Sequence, residues 1–184
     1  MDGLLEIVGQ AGLSAIIKMT ERKGDLKSGS ICYSELNRIT LALASVYGHR
    51  GGMGIALRSG RASLKYFLRS HGQKLDLTGI EFRMKPSRKR FRDGLMRIIQ
   101  TYHDEFGVAV DLQDDGESWI WKASHCSECQ DQRSAEPLCH FTQGLLQEFL
   151  SWCGGNKFYS VTEINCCAQG GTQCQYRIDP RPID

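Results

Sequence analysis

The chain has 184 residues, 41% of them hydrophobic, 24% charged and only four of them proline, which is enough for one domain with a real core and too little for two large ones. That composition excludes a disordered, collagenous or proline-rich chain, and no apolar run approaches the roughly 18 residues needed to cross a bilayer. The formal net charge of +2 conceals two opposed blocks, with 12 Lys/Arg against 3 Asp/Glu over residues 51–100 and 2 against 10 over residues 101–150.

The opening MDGLLEIVGQ lacks a basic stretch, a long apolar run and a small-residue cleavage site, so the expectation is a cytosolic protein. Residues 2–18 carry Leu4, Leu5, Val8, Ala11 and Ile16 at helical spacing, a weak stripe interrupted by Gly9 and Gly12. Leu36, Ile39, Leu43 and Val46 predict a second helix that ends at Gly48. After GHRGGMG, Leu57, Leu64, Phe67 and Leu68 resume the helical spacing over residues 55–70. Pro86 and Ser87 open an amphipathic helix to about Phe106, with Phe91, Leu95, Ile98, Ile99 and Tyr102 on one side and cations on the other.

RMKPSRKRFR, residues 83–92, places six cations in ten residues. A basic patch can read nucleic acid, but the acidic block cancels most of its long-range field and no recognition motif accompanies it. The better account is pairing with the acidic face of the same chain or of a dimer partner.

The remainder alternates strands with one helix. Val108, Val110 and Leu112 alternate, Asp114-Asp115-Gly116 turns, and residues 118–122 return as a hairpin. Phe141, Leu145, Leu146, Phe149 and Leu150 mark a buried helix between Pro137 and Cys153 that stops at Gly154-Gly155. Residues 157–167 and 173–179 close the chain as a second hairpin around Gly170-Gly171. Helices followed by hairpin, helix, hairpin predict an α+β fold with an antiparallel sheet. A single domain is expected over 1–184, with 1–34 an N-terminal helical segment suited to dimerisation.

Of eight cysteines, seven lie in the last 59 residues: Cys126, Cys129, Cys139, Cys153, Cys166, Cys167 and Cys174, with Cys32 apart. Where thiols stay reduced, such density reads as metal binding or redox chemistry before disulfides. Cys166 and Cys174 face each other on the last hairpin. Cys139 sits in the first turn of its helix, where the dipole favours a thiolate. With Glu163 these three make a four-ligand set suited to zinc. Glu163 and Cys166 are three apart, however, and a flat strand would send them to opposite faces. The set therefore requires a bulge near Asn165 or a strand that ends there. Otherwise Cys167 is a rival ligand, and Cys126-x-x-Cys129 with Cys139 and His140 is a rival site.

Glu136-Pro-Leu-Cys-His, Gly144-Leu-Leu, Glu163-Ile-Asn-Cys and Gly170-Gly-Thr-Gln-Cys-Gln-Tyr-Arg-Ile resemble the 4-vinyl reductase (4VR) domain family. The stretch from Tyr47 to Leu68 resembles free-standing bacterial members. The resemblance implies the fold of ligand-binding domains in nitric-oxide signalling and Golgi transport, shared with sensors of aromatic-responsive activators. It also implies a structural zinc at Cys139, Glu163, Cys166 and Cys174. Cys126 and Cys129 have no counterpart in the sensors and stay open as a second metal site or a redox pair.

No GxGxxG follows a strand and a closed zinc leaves no position for substrate water, so catalysis is disfavoured and no catalytic residue is assigned. Gly51-Gly52-Met53-Gly54 reads as a tight turn, and Arg58 with Arg61 as a surface pair. The leading expectation is a zinc-stabilised binding domain, sensor or carrier, for a small hydrophobic or aromatic molecule, in a homodimer without membrane or nucleic-acid partners. Candidate wall residues are Tyr66, Phe67, Phe82, Phe106, Trp119 and Trp121, of which Trp121 resembles the pocket tryptophan of the aromatic sensors. The alternatives are participation in tetrapyrrole vinyl reduction or handover, and a cysteine redox sensor.

Overall fold

The predicted periodicities become helices and strands in the order they were read, in a computed structural model that describes residues 1–20 and 35–183. Cys32 and the rest of 21–34 lie outside the described residues, and with them the second half of the expected 1–34 segment. Helix α1 spans Asp2–Met19 and helix α2 Leu36–His71. Each is broken by one glycine: Gly9 has φ 67° and ψ 178°, and Gly48 has φ 75° and ψ 164°. That region is open only to glycine, which is why the second helical stripe stops at Gly48 and resumes with a new direction.

Helix α1 and the first part of α2 bury Leu4, Leu13, Ile16, Ala42, Leu43 and Ala56 in a small core of their own. A short helix α3, Ile80–Met84, was not marked by periodicity because five residues complete little more than one turn. Helix α4, Ser87–Phe106, starts after Pro86 and ends at Gly107 in the left-handed conformation. Phe91, Leu95, Ile98 and Tyr102 are buried along it, as the amphipathic stripe requires. Phe106 closes the helix, but its side chain lies outside what the structure describes.

The two hairpins merge into one antiparallel sheet of order β1-β2-β4-β3. Strands β1, Val110–Asp114, and β2, Trp119–Ala123, are joined by a turn in which Asp114 Oδ1 accepts from the Gly116 N–H and Asp115 Oδ1 from the Ser118 N–H. Helix α5, His140–Cys153, crosses to strand β3, Phe158–Asn165, and strand β4, Cys174–Ile183, returns between β2 and β3. Alternate residues of β2 and β4 face the main core, so Trp119 lies opposite Ile178 and Trp121 opposite Tyr176, all at 1% exposure or less.

Helices α2 and α5 cross at two glycines. A Cβ on Gly60 would lie 2.0 Å from the Phe141 carbonyl oxygen, and one on Gly144 2.0 Å from that of Leu57. The backbones touch there, with no room for a side chain on either.

The opposed charge blocks meet inside the chain. Arg88 pairs with Asp114 at 3.2 Å and Arg61 with Glu148 at 3.0 Å, while Lys74 and His71 share Glu105. These pairs are partly exposed and each is worth little. They remove charge complementarity as an argument for a partner copy. Among the described residues no helix is long and apolar enough to cross a membrane.

Candidate metal centre and ligand cavity

Five cysteine sulfurs and one carboxylate converge where the 126–129 loop, the start of α5 and the last hairpin meet. Cys139 precedes the first turn of α5 instead of lying within it, and serves as its N-cap. Its N–H donates to Glu163 Oε2 at 3.1 Å, and its carbonyl accepts from the Tyr176 hydroxyl at 3.2 Å. Cys174 opens β4, and Cys166 follows the last residue of β3. The pairing of β3 with β4 shifts register between Glu163 and Asn165. That shift is the bulge the three-residue spacing demands, and it lets Glu163 and Cys166 turn to the same side.

Cys139, Glu163, Cys166 and Cys174 place one donor atom each within 4.8 Å of one another, and so do Cys126, Cys129, Cys139 and Cys174. All five cysteines are at 3% exposure or less and Glu163 is at 8%. The sulfur contacts are 3.4 Å for Cys126–Cys139 and for Cys129–Cys174, 3.6 Å for Cys139–Cys174 and 3.8 Å for Cys139–Cys166. The Cys167 N–H donates to Cys174 Sγ at 3.4 Å. Cys153 and Cys167 belong to neither set. His140 is also outside them: its Nδ1 contacts Gln143, and the fourth donor beside Cys126, Cys129 and Cys139 is Cys174.

The donor set fits a thiophilic divalent ion. Glu163 Oε1 is buried without a hydrogen-bond partner, a position that costs free energy unless a cation or proton meets it. Burial, reinforced by the neighbouring Cys166, pushes the Glu163 carboxyl up to about 9. Contact with Cys129 raises the Cys166 thiol, but those with Cys139 and Cys174 outweigh it and hold the group at about 6. Hydrogen bonds from the surrounding thiols, Cys126 first, lower Cys129, while the same contacts raise Cys139 and Cys174. Some sulfurs thus carry charge at the expense of others, and a metal would relieve the competition by replacing the protons.

Glu128, between the two loop cysteines, carries no metal-ligand signature in the sequence. It is fully buried and caps α5: its carboxylate accepts from the N–H groups of Phe141 and Thr142, each at 2.9 Å, and from the Thr142 hydroxyl. Burial pushes its carboxyl up to about 7 against the pull of those bonds. The helix terminus therefore binds a carboxylate from the loop, and this clamps Cys126 and Cys129 against Cys139. Replacing Glu128 by alanine leaves two buried helix N–H groups unpaired and is expected to cost about 2–3 kcal/mol, read as a lower midpoint in thermal denaturation. Glutamine, which keeps an acceptor, should lose less.

A cavity of about 700 Å³ lies between the α1–α2 pair and helices α4 and α5. Its wall includes Leu4, Leu43, Phe67, Tyr102, Phe141 and Leu145, with Tyr66 at the side. Of the six aromatic residues expected on such a wall, Tyr66 and Phe67 are there. Phe82, Trp119 and Trp121 are instead packed into the main core at 1% exposure. Trp121 stands one ring behind the wall, edge-on to Tyr102 with centroids 5.8 Å apart. Leu145 and Phe141 were legible as an α5 stripe, but which face of that stripe meets a void depends on where α1 packs.

The helices, sheet order and cavity together make this an H-NOX-like ligand-binding fold. A crystal structure of an H-NOX protein from S. oneidensis in the Fe(II)NO state superposes with a TM-score of 0.59 at 16% identity, covering 97% of this chain and 95% of that one. The phenol-responsive sensory domain of the transcription activator PoxR, solved with phenol, superposes with a TM-score of 0.54 at 14% identity, covering 94% and 91%. Residues 119–180 match the family model of the 4-vinyl reductase (4VR) domain, in agreement with the resemblance carried by Glu163, Cys166 and Cys174. An uncharacterised protein of Methanocaldococcus jannaschii is 28% identical over 101 residues, and the match spans 55% of this chain and about half, 52%, of that relative.

Proposed function

We propose that the protein is a sensor or carrier of a small hydrophobic or aromatic molecule, with one zinc at Cys139, Glu163, Cys166 and Cys174 pinning α5 to the last hairpin. The observation that carries this reading is the cavity: its volume of about 700 Å³ falls in the roughly 300–1,000 Å³ range of small-molecule sites. The wall is largely apolar, and the hydroxyls of Thr40 and Ser63 lie on it. The phenol-bound fold relative supports an aromatic occupant. The zinc would supply no chemistry beyond crosslinking, since four protein donors close its coordination.

Haem is named for the H-NOX family, but the cavity does not fit it well. His71 is the histidine on the wall among the described residues, and its ring nitrogens are engaged by Ser70 at 2.8 Å and Glu105 at 2.9 Å. Among those residues no free imidazole faces the void, which favours an organic ligand held by packing. The redox alternative is weakened by the burial of Cys126 and Cys129, at 3% and 1% exposure, since redox-sensing thiols need access.

The test is a fluorescence titration with phenol and 1-naphthol, using the tryptophans behind the wall as reporters. Saturable quenching is expected in the native chain. Thr40→Phe, which projects a ring into the cavity, should weaken 1-naphthol at least tenfold, about 1.4 kcal/mol, with zinc content and circular dichroism unchanged. No saturable binding of either probe, or equal binding by the variant, sinks the cavity reading.

A further inference from the structure

We infer that the centre is binuclear: a pair of zinc(II) ions held by six residues, with the thiolates of Cys139 and Cys174 bridging both. The inference deepens the zinc site proposed above and rests on it for one of the two ions. The first ion would take Cys139, Glu163, Cys166 and Cys174. The second would take Cys126, Cys129, Cys139 and Cys174, a set to which nothing in the fold relatives assigns a role.

The geometry is that of two tetrahedra sharing an edge. A Zn–S bond of about 2.3 Å sets a tetrahedral S···S edge of roughly 3.8 Å, and the sulfur contacts here run from 3.4 to 3.8 Å. Cys139 and Cys174, 3.6 Å apart, are the only donors common to both sets among the described residues, so they form the shared edge. Cys126 and Cys129 lie on one side of that edge, and Glu163 and Cys166 on the other. None of the sulfurs is in a disulfide, and a disulfide would need S–S near 2.05 Å.

The loop carrying the second pair is built to stay in place. Glu128 clamps it to the start of α5 through three hydrogen bonds, and the Ser134 N–H donates to the Ala168 carbonyl at 3.0 Å, tying the loop to the turn of the last hairpin. Five thiolates and one carboxylate carry six negative charges, and two divalent ions supply four positive ones. Binding the second ion releases the protons of Cys126 and Cys129 and leaves no thiol proton shared among crowded sulfurs. An iron–sulfur core is disfavoured, because inorganic sulfide between the metals would spread the cysteine sulfurs beyond contact.

The experiment is metal counting on the intact chain purified under reducing conditions, by native mass spectrometry and elemental analysis together. Two zinc ions per chain are expected, and the Cys126→Ser, Cys129→Ser double variant should retain one. Exchange with cadmium-113 then reads the bridges without any substitution: two cadmium resonances are expected, with the Cβ protons of both Cys139 and Cys174 correlating to each. One zinc in the native chain overturns the pair while leaving the single-zinc reading standing, and a metal-free chain overturns both. Two ions without shared correlations, iron with inorganic sulfide, or a Cys126–Cys129 disulfide in the native protein would each refute the bridged pair.

Discussion

Gly144→Ala is expected to destabilise the fold by about 2–3 kcal/mol and to lower the thermal midpoint by roughly 5–10 °C, at about 2–4 °C per kcal/mol for a chain of this size. The new methyl would sit 2.0 Å from the Leu57 carbonyl oxygen and 2.9 Å from its carbon. Those are backbone atoms of α2, so no rotamer change relieves the clash and α2 and α5 must separate. Alanine gains about 1 kcal/mol of helix propensity over glycine, which overpacking at this crossing outweighs. Gly54→Ala supplies the opposite sign. Gly54 lies in the same helix α2, with nothing within 4 Å of its Cβ position, so only the propensity gain remains and a stabilisation of about 0.5–1 kcal/mol is expected. Chemical denaturation of both variants checks the pair. Equal effects would mean that the crossing yields more freely than a backbone contact should.

The same crossing governs the cavity. Phe141 and Leu145 line it from α5, on either side of Gly144, while Ser59 and Ser63 flank Gly60 on α2. Moving the helices apart therefore changes the shape of the void as well as the stability of the core. Ligand affinity in Gly144→Ala should fall even at temperatures where the fold is intact.

Elements with a strong period were legible in the sequence. Helix α4 emerged within a residue of its bounds because Phe91, Leu95, Ile98 and Tyr102 repeat on one face and Pro86 fixes the start. Both hairpins followed from Gly116 and the Gly170 turn, where φ is positive. The union of the hairpins into one sheet through β2 and β4 did not follow, because pairing between distant strands leaves no local mark. In the candidate centre, the need for a bulge was legible from the Glu163–Cys166 spacing alone. The partner of Cys126 and Cys129 was not: Cys174 reaches them only because β4 inserts beside β2, with Cys174 opposite Ala123. For the same reason His140, adjacent to Cys139 in sequence, is absent from the donor set. The aromatic residues were harder still. Trp119 and Trp121 alternate as a half-buried strand should, and alternation does not distinguish a core from a ligand wall.

Cys139→Ser is expected to have the largest effect of any single substitution, removing both metals and lowering the thermal midpoint by more than about 10 °C. Serine keeps the backbone N–H that binds Glu163 Oε2 and the carbonyl that accepts from Tyr176, so the change isolates the sulfur. That sulfur touches Cys126 at 3.4 Å, Cys174 at 3.6 Å and Cys166 at 3.8 Å and belongs to both donor sets. Its loss leaves three donors in each. Structural zinc contributes on the order of 10 kcal/mol to the folding of small zinc domains, and here it ties together the loop, α5, β3 and β4. The remaining buried thiols and the Glu163 carboxyl would then lack a cation, which adds a desolvation cost to the lost bonds. Cys153→Ser is the matched control, because Cys153 is just as buried, at 4% exposure, and lies in neither set. It should retain the full metal complement and lose only about 1 kcal/mol or so of packing. Zinc content and calorimetry on the two variants decide the matter, and metal retention by Cys139→Ser would show that the sulfurs converge for packing alone.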